Sequence, residues 1–204
     1  MNFPVVPQRM ALINVHMQNC FVENPDRKGL ALLERINDFA AVCRTAGMLV
    51  VHTRSIWRAD GVNAGVLGEI FPKGKEMFRS DSSTAALHPR LVIEPQDTVV
   101  DAPRYGAFHA TDLELILRTR CIDSLVITGI ATNIACDTTV REAASRDFRV
   151  FLLSDGTLTA GTGGLTAEET HRASLATLGA LFAQVLSVDE MIEKIQRAAD
   201  AVGG

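Results

Sequence analysis

A succession of short apolar runs, each followed by a stretch of helical period, constrains this chain more than any other feature. The runs Met10–Val15, Met48–Thr53, Thr98–Val100, Ser124–Thr128 and Arg149–Ser154 read as strands, with a shorter one at Ala183–Ser187. Runs that are apolar at consecutive positions leave no face for water, so such strands need helices on both sides. The pattern predicts an α/β protein with three α/β/α layers around a central, mainly parallel sheet. The stretch 29–46 places Leu30, Leu33, Ile36, Phe39, Ala40 and Cys43 on one face and stops before Gly47, as an amphipathic helix does. Helical period returns over Thr111–Arg120, where Thr111 and Glu114 have capping-box spacing, and over Thr132–Arg146 and Thr166–Leu181. A last helix is expected over Val188–Ala201, with Ser187 as its N-cap.

The segment Ile56–Pro95 carries Gly61, Gly65, Gly68, Pro72, Gly74 and Pro89 with little period. It is expected to form irregular loops over the sheet edge, and loops of that length in a compact domain tend to be functional. No repeat or domain boundary interrupts the pattern, so residues 1–204 are expected to form one domain.

A net charge of -4 and a pI near 5.7 give no electrostatic reason for a nucleic acid or an anionic membrane to bind. Small molecules or protein partners are the expected ligands. No apolar run is long enough for a membrane span, and the N-terminus lacks the basic and apolar regions of a signal peptide, so a cytoplasmic location is expected. Cys20, Cys43, Cys121 and Cys136 show no C-x-x-C pair and no zinc-like spacing. Reduced thiols are the expectation, with no metal and no other cofactor.

Open parallel sheets bind ligands beyond the carboxyl ends of their strands. That rule singles out His16, Arg54, the stretch 101–104 and the stretch 129–136. The sequence there includes Ala11-Leu-Ile-Asn-Val-His-Met-Gln-Asn-Cys-Phe21, Arg104-Tyr-Gly-Ala-Phe108 with Thr111-Asp-Leu113, and Gly129-Ile-Ala-Thr-Asn133 with Thr139 and Arg141. In this order, over nearly the whole chain, these segments resemble the isochorismatase-like hydrolases. That family includes isochorismatases, nicotinamidases, N-carbamoylsarcosine amidohydrolases and ureidoacrylate hydrolases, and the resemblance implies its Rossmann-like fold.

Active members of the family use a cysteine nucleophile, an aspartate that accepts its proton and a lysine that stabilises charge. The flanking motifs place those positions at Ala135, His16 and Ala102, and leave no room for a shift of register. Cys136 stands one residue from the nucleophile position, and on a helix one residue turns a side chain by about 100°. The expected role of Cys136 is therefore that of a small buried hydrophobe. Alanine has nothing with which to attack a carbonyl, so family-type amide hydrolysis is not expected.

The resemblance leaves two functional expectations. One is a catalytically degenerate protein with a ligand-binding or assembly role. The other is a diverged hydrolase or lyase, acting on a small amide or enol ether with His16 as acid or base. The resemblance places a non-proline cis peptide at Ile130–Ala131 and makes the amides of Ala131 and Ala135 donors to a carboxylate or carbonyl oxygen. Gln18, Arg54, Tyr105 and Phe108 are the expected ligand contacts, with Trp57 as a further candidate for an apolar wall, and an anionic ligand is among the candidates. The nicotinamidase branch carries Asp-x-His after its second strand. Here Val51-His-Thr-Arg-Ser-Ile-Trp57 has no carboxylate, so His52 is read as a packing residue. A homo-oligomer, dimer or tetramer, is the expected assembly.

Overall fold

The computed structural model describes residues 1–24 and 28–203. Its sheet consists of β1 (Met10–Val15), β2 (Leu49–Ser55), β3 (Thr98–Ala102), β4 (Ser124–Ile130), β5 (Arg149–Leu158) and β6 (Gln184–Leu186), in the spatial order β3-β2-β1-β4-β5-β6. Every pairing is parallel, so the sheet is wholly rather than mainly parallel. β1 lies between β2 and β4, where the strand order changes direction. The carboxyl ends of β1 and β4 therefore flank the crevice in which such folds bind ligands.

The helices are α1 (Asn19–Val22), α2 (Gly29–Thr45), α3 (Gly65–Ile70), α4 (Gly74–Met77), α5 (Leu113–Thr119), α6 (Asp137–Ala144), α7 (Ala167–Leu181) and α8 (Val188–Gly203). Two apolar layers hold them to the sheet. Phe39, Ala40 and Cys43 of α2, with Val188, Met191 and Ile195 of α8, pack against Leu12, Val50, Val126 and Phe151. On the other face Leu113 and Leu117 of α5, Val140 and Ala143 of α6 and Leu178 of α7 cover Ile13, Val51, Ile127 and Leu152. Each fully buried side chain of this size contributes roughly 1.5–3 kcal/mol by leaving water. The buried face of α2 is built on Leu32 and Leu33; Leu30, expected there, is 42% exposed.

Four strands outrun the apolar segments that announced them at the carboxyl end, whereas β1 ends where expected and β6 is shorter. β2 continues to Ser55, β3 to Ala102, β4 to Ile130 and β5 to Leu158, so Asp155 lies within β5 rather than after it. The added residues are mostly polar or small, and parallel pairing continues through them even where the apolar pattern has stopped.

Other departures have local causes. Thr111 and Glu114 form no capping box, because Thr111 Oγ1 donates to the carbonyls of Ala107 (2.7 Å) and Phe108 (3.2 Å) and Glu114 pairs with Arg118 and Arg146. A capping box does form at Thr166 and Glu169, and Ser187 and Glu190 exchange the same pair of hydrogen bonds. The helix expected over 132–146 begins as a π-helical segment, Thr132–Cys136, before α6 takes over.

The middle segment is more ordered than its glycines suggest. α3 and α4 pack around Trp57, Ala64 and Phe78, with Phe21 and Leu67 alongside, and a 3₁₀ turn at Ser83–Ala85 is held by hydrogen bonds to Asn19 of α1 and the Met77 carbonyl. Among the described residues no helix is long and apolar enough to cross a membrane.

Candidate functional site

A cavity of about 360 Å³ opens at the carboxyl ends of β1, β2 and β4. The sheet side is formed by His16 just after β1, by Ser55 and Ile130, which end β2 and β4, and by Ala131, Ile134 and Ala135 from the passage between β4 and α6. The opposite side comes from the middle segment, as Leu67, Ile70, Phe71 and Phe78, with Phe21 from α1 and Arg104 and Tyr105 from the turn after β3. Most of this surface is hydrocarbon.

His16 is the first residue beyond β1 and sits at a positive φ of 52°. Its amide donates to the Thr53 carbonyl at 3.1 Å, which continues the β1–β2 pairing, while the positive φ turns the chain away from the strand. The imidazole is 3% exposed and stacks on Phe21 with 5.8 Å between ring centroids. Among the described residues its Nε2 has no hydrogen-bond partner. Burial pulls its pKa down to about 4, so the ring is neutral at neutral pH.

The Ile130–Ala131 peptide is cis, as the resemblance implied. The following segment is anchored from behind. His171 Nε2 donates to the Ser154 carbonyl at 2.8 Å, so its Nδ1 is the acceptor for the Thr132 hydroxyl at 2.9 Å. Ala135 lies on the cavity wall. Cys136 is turned away from it, fully buried, with Sγ 3.9 Å from the Thr128 carbonyl. Burial, assisted by the nearby Asp137 carboxylate, pushes the Cys136 thiol well above its ordinary pKa. The single-residue offset thus separates a cavity position from a core position.

The remaining expected contacts divide. Tyr105 lines the cavity. Ala102 is fully buried opposite Ser55 at the end of β3 and does not line it. Gln18, Arg54 and Phe108 do not line the cavity and have other partners. Gln18 Nε2 donates to the carbonyls of Ser55 (3.1 Å) and Ala85 (2.7 Å), and its Oε1 accepts from the Ser55 amide (2.7 Å). Its amide is used up in holding the cavity's frame. Arg54 makes a two-pronged pair with Asp101, at 2.6 and 2.8 Å. Phe108 packs on Phe148 beneath the Arg146 guanidinium. Trp57 lies behind the wall rather than in it; its indole donates to the Pro103 carbonyl and its ring meets Phe78 edge-on.

His52 is more than a packing residue. Asn14 Nδ2 can only donate, so His52 Nδ1 accepts from it (3.3 Å) and His52 Nε2 donates to Asp97 (3.1 Å). Thr128 donates to Asn14 Oδ1 at 2.6 Å and Arg44 donates twice to Asp97. This buried row crosses β4, β1 and β2 just behind the cavity. Burial lowers the His52 pKa despite the neighbouring Asp97. For Asp97 burial acts upward, but hydrogen bonds from Arg44, the Glu94 amide and His52 outweigh it and hold the carboxyl below its ordinary value. Among the described residues no group of three or more His, Cys, Asp or Glu side chains is placed to hold a metal ion.

Residues that motif reading missed are chiefly Ser55, Phe21, Arg104 and the apolar side chains of 67–78. Phe21 and Arg104 lay inside the quoted motifs. The apolar Val66, Leu67 and Ile70 at helical spacing were the available signal for α3.

The isochorismatase domain family matches this chain over residues 10–190. The chain belongs to the isochorismatase family. Similar relatives include a ureidoacrylate amidohydrolase RutB from Methylorubrum extorquens, 32% identical over 88% of this chain and 83% of that protein. Another is the ureidoacrylate amidohydrolase RutB of Klebsiella pneumoniae, 29% identical over 95% of this chain and 89% of that protein. A cysteine hydrolase from Pseudomonas syringae pv. phaseolicola superimposes with a TM-score of 0.92 at 29% identity, over 97% of both chains. An isochorismatase family protein from Burkholderia thailandensis does so with a TM-score of 0.83 at 27% identity, over 96% of this chain and 100% of that one. The family's three-layer fold is therefore shared almost end to end.

Proposed function

We propose that this isochorismatase-family protein holds a small, oxygen-bearing molecule in the cavity between β1 and β4 and does not use the family's covalent thiol chemistry on it. The observation that carries this reading is the contrast at 135 and 136. The cavity position is a methyl group, and the adjacent thiol faces the Thr128 carbonyl with its pKa raised by burial. Nucleophilic attack needs a thiolate within reach of a carbonyl carbon, and burial disfavours that ionised form. In this reading the amides of Ala131 and Ala135 donate to an oxygen of the ligand, as backbone N–H groups at the start of a helical segment do.

A second reading rests on His16. A neutral imidazole on the cavity wall suits general-base activation of water, which would hydrolyse an amide or ureido bond without a covalent intermediate. Similarity to ureidoacrylate amidohydrolases makes ureidoacrylate the first substrate to try. Turnover of ureidoacrylate, nicotinamide and isochorismate by this chain and by His16→Asn separates the two readings. The first expects no turnover above background by either protein. Turnover that falls at least about a hundredfold in His16→Asn, as loss of a general base does, would replace it with the second.

A further inference from the structure

The cavity wall opposite the sheet is held far more lightly than the sheet side. Leu67, Ile70 and Phe71 come from residues 61–72, where α3 buries only Gly68 of its own residues and leaves Val66 and Ile70 65% and 70% exposed. Among the described residues, the hydrogen bonds of 61–72 stay within the segment or run to its chain neighbours 58–60 and 74–75, with one exception. Arg104 Nη1 donates to the Asn63 carbonyl at 2.9 Å. The same nitrogen donates to the Pro103 carbonyl (2.6 Å), which also accepts from the Trp57 indole (3.1 Å), so the base of this contact is fixed. A Cβ at Gly65 would stand 2.9 Å from Arg104 Nη2, which places the guanidinium against the start of α3. At the amino end of the segment Gly61 has φ +69° and open space where a Cβ would be. Just beyond its other end Gly74 is wedged against Trp57, where a Cβ would come within 2.8 Å of the indole ring.

Exposed hydrocarbon is not confined to this wall. Ile134 on the sheet side and Tyr105 in the turn after β3 line the same cavity and are 48% and 42% exposed. Apolar side chains left in water on two sides of one opening favour any motion that brings those sides together. We infer that residues 61–72 form a lid, hinged at Gly61 and restrained by the Arg104–Asn63 hydrogen bond, that swings toward Ile134 and encloses a small molecule held in the cavity. The enclosed molecule belongs to the reading above, whereas the hinge and the restraint are properties of the chain itself. Closure breaks one hydrogen bond and covers Ile70, Phe71, Tyr105 and Ile134. Gly74 remains the fixed end while Gly61 absorbs the backbone rotation. A lid of this kind excludes water from what it covers.

The test traps the closed lid in the full chain. In Ile70→Cys/Ile134→Cys, formation of a 70–134 disulfide in a glutathione redox buffer is followed by peptide mass spectrometry, with and without Arg104→Met. A disulfide needs its Cα atoms within about 7 Å, so the bridge records closure. Methionine keeps an apolar stem at 104 and removes the donor. The bridge is expected to form within one chain, at a rate independent of protein concentration. It should form at least about threefold faster with Arg104→Met, the order of effect of one net hydrogen bond. In the unaltered chain, labelled at isoleucine δ1-methyl groups, Ile70 should show microsecond-to-millisecond exchange by NMR relaxation dispersion, a readout that holds even if a variant fails to fold. No bridge, a bridge formed equally fast with Arg104 in place, or an Ile70 methyl without exchange would overturn the lid and leave the cavity an open small-molecule site. A bridge between two chains, or one whose rate rises with protein concentration, would also overturn it and assign the exposed side chains to contact with a second copy. Neither readout uses a ligand, so failure of the small-molecule reading alone would leave both unchanged.

Discussion

At the scale of single residues, burial sets the chemistry of the titratable groups. An unfolded histidine takes up a proton near 6.5, whereas His16 in the fold resists one until about 4. Between those values the unfolded state binds more protons than the folded one, so stability falls as pH falls from 6.5 to 4 and levels off below. At about 1.4 kcal/mol for each pKa unit, His16 alone accounts for a loss of about 3 kcal/mol. The shift at His52 has the same sign and adds to the loss below 6.5. Asp97, depressed in the fold, contributes stability above its unfolded value of 3.8 that disappears only as pH falls through its lower folded value. Urea denaturation across this pH range should show the slope, and His16→Asn should flatten it; a flat profile in the unaltered chain would contradict the account. The cysteines supply a second check. Cys121 is exposed, while the Cys43 and Cys136 thiols are buried with raised pKa values. Iodoacetamide at mild alkaline pH followed by peptide mass spectrometry should find Cys121 modified and the two buried thiols intact. Modification of Cys136 as fast as Cys121 would undo its assignment to the core.

At the scale of elements, the close approach of β1 to β4 depends on Gly129. It sits at φ +115°, and a Cβ there would stand 2.1 Å from the Val15 carbonyl oxygen. Gly129→Ala should cost on the order of 2–4 kcal/mol, from backbone strain together with a clash that only strand movement can relieve. A thermal midpoint unchanged from the parent would show that the two strands are less tightly set than described. The buried row behind the cavity makes a parallel prediction. Asp97→Asn leaves Arg44 and His52 without their carboxylate, and should destabilise by about 3 kcal/mol, the usual cost of removing one partner from a buried ion pair.

These elements also show where sequence reading succeeds. Strand beginnings follow the onset of apolar residues, because both faces of the sheet are covered there. Strand ends do not, because Arg54 and Ser55 continue β2 with polar side chains, Ser55 lining the cavity and Arg54 pairing with Asp101. The capping box at Thr166 was hidden in a helix start already recognised, while the one read at Thr111 failed because nearer carbonyls captured the hydroxyl.

At the scale of the whole molecule, the motifs located the site because they lie at strand ends that parallel pairing must bring together. His16, Ala131, Ala135 and Tyr105 meet at one cavity for that reason. The opposite wall was not legible. Phe71 and Phe78 reach the cavity only through long-range packing with Phe21 and around Trp57, which no local spacing records. For the same reason Asp97 could not be assigned to His52, since 45 residues separate them. The central claim is that the cavity has kept its ability to hold a small molecule but not the thiol route to hydrolysis. It is tested most directly by assaying the unaltered chain beside His16→Asp/Ala102→Lys/Ala135→Cys, with ureidoacrylate, nicotinamide and isochorismate as substrates. No turnover above background is expected of the unaltered chain, and measurable turnover of at least one substrate is expected of the triple variant. Turnover by the unaltered chain that is abolished by alkylation of its thiols would contradict it.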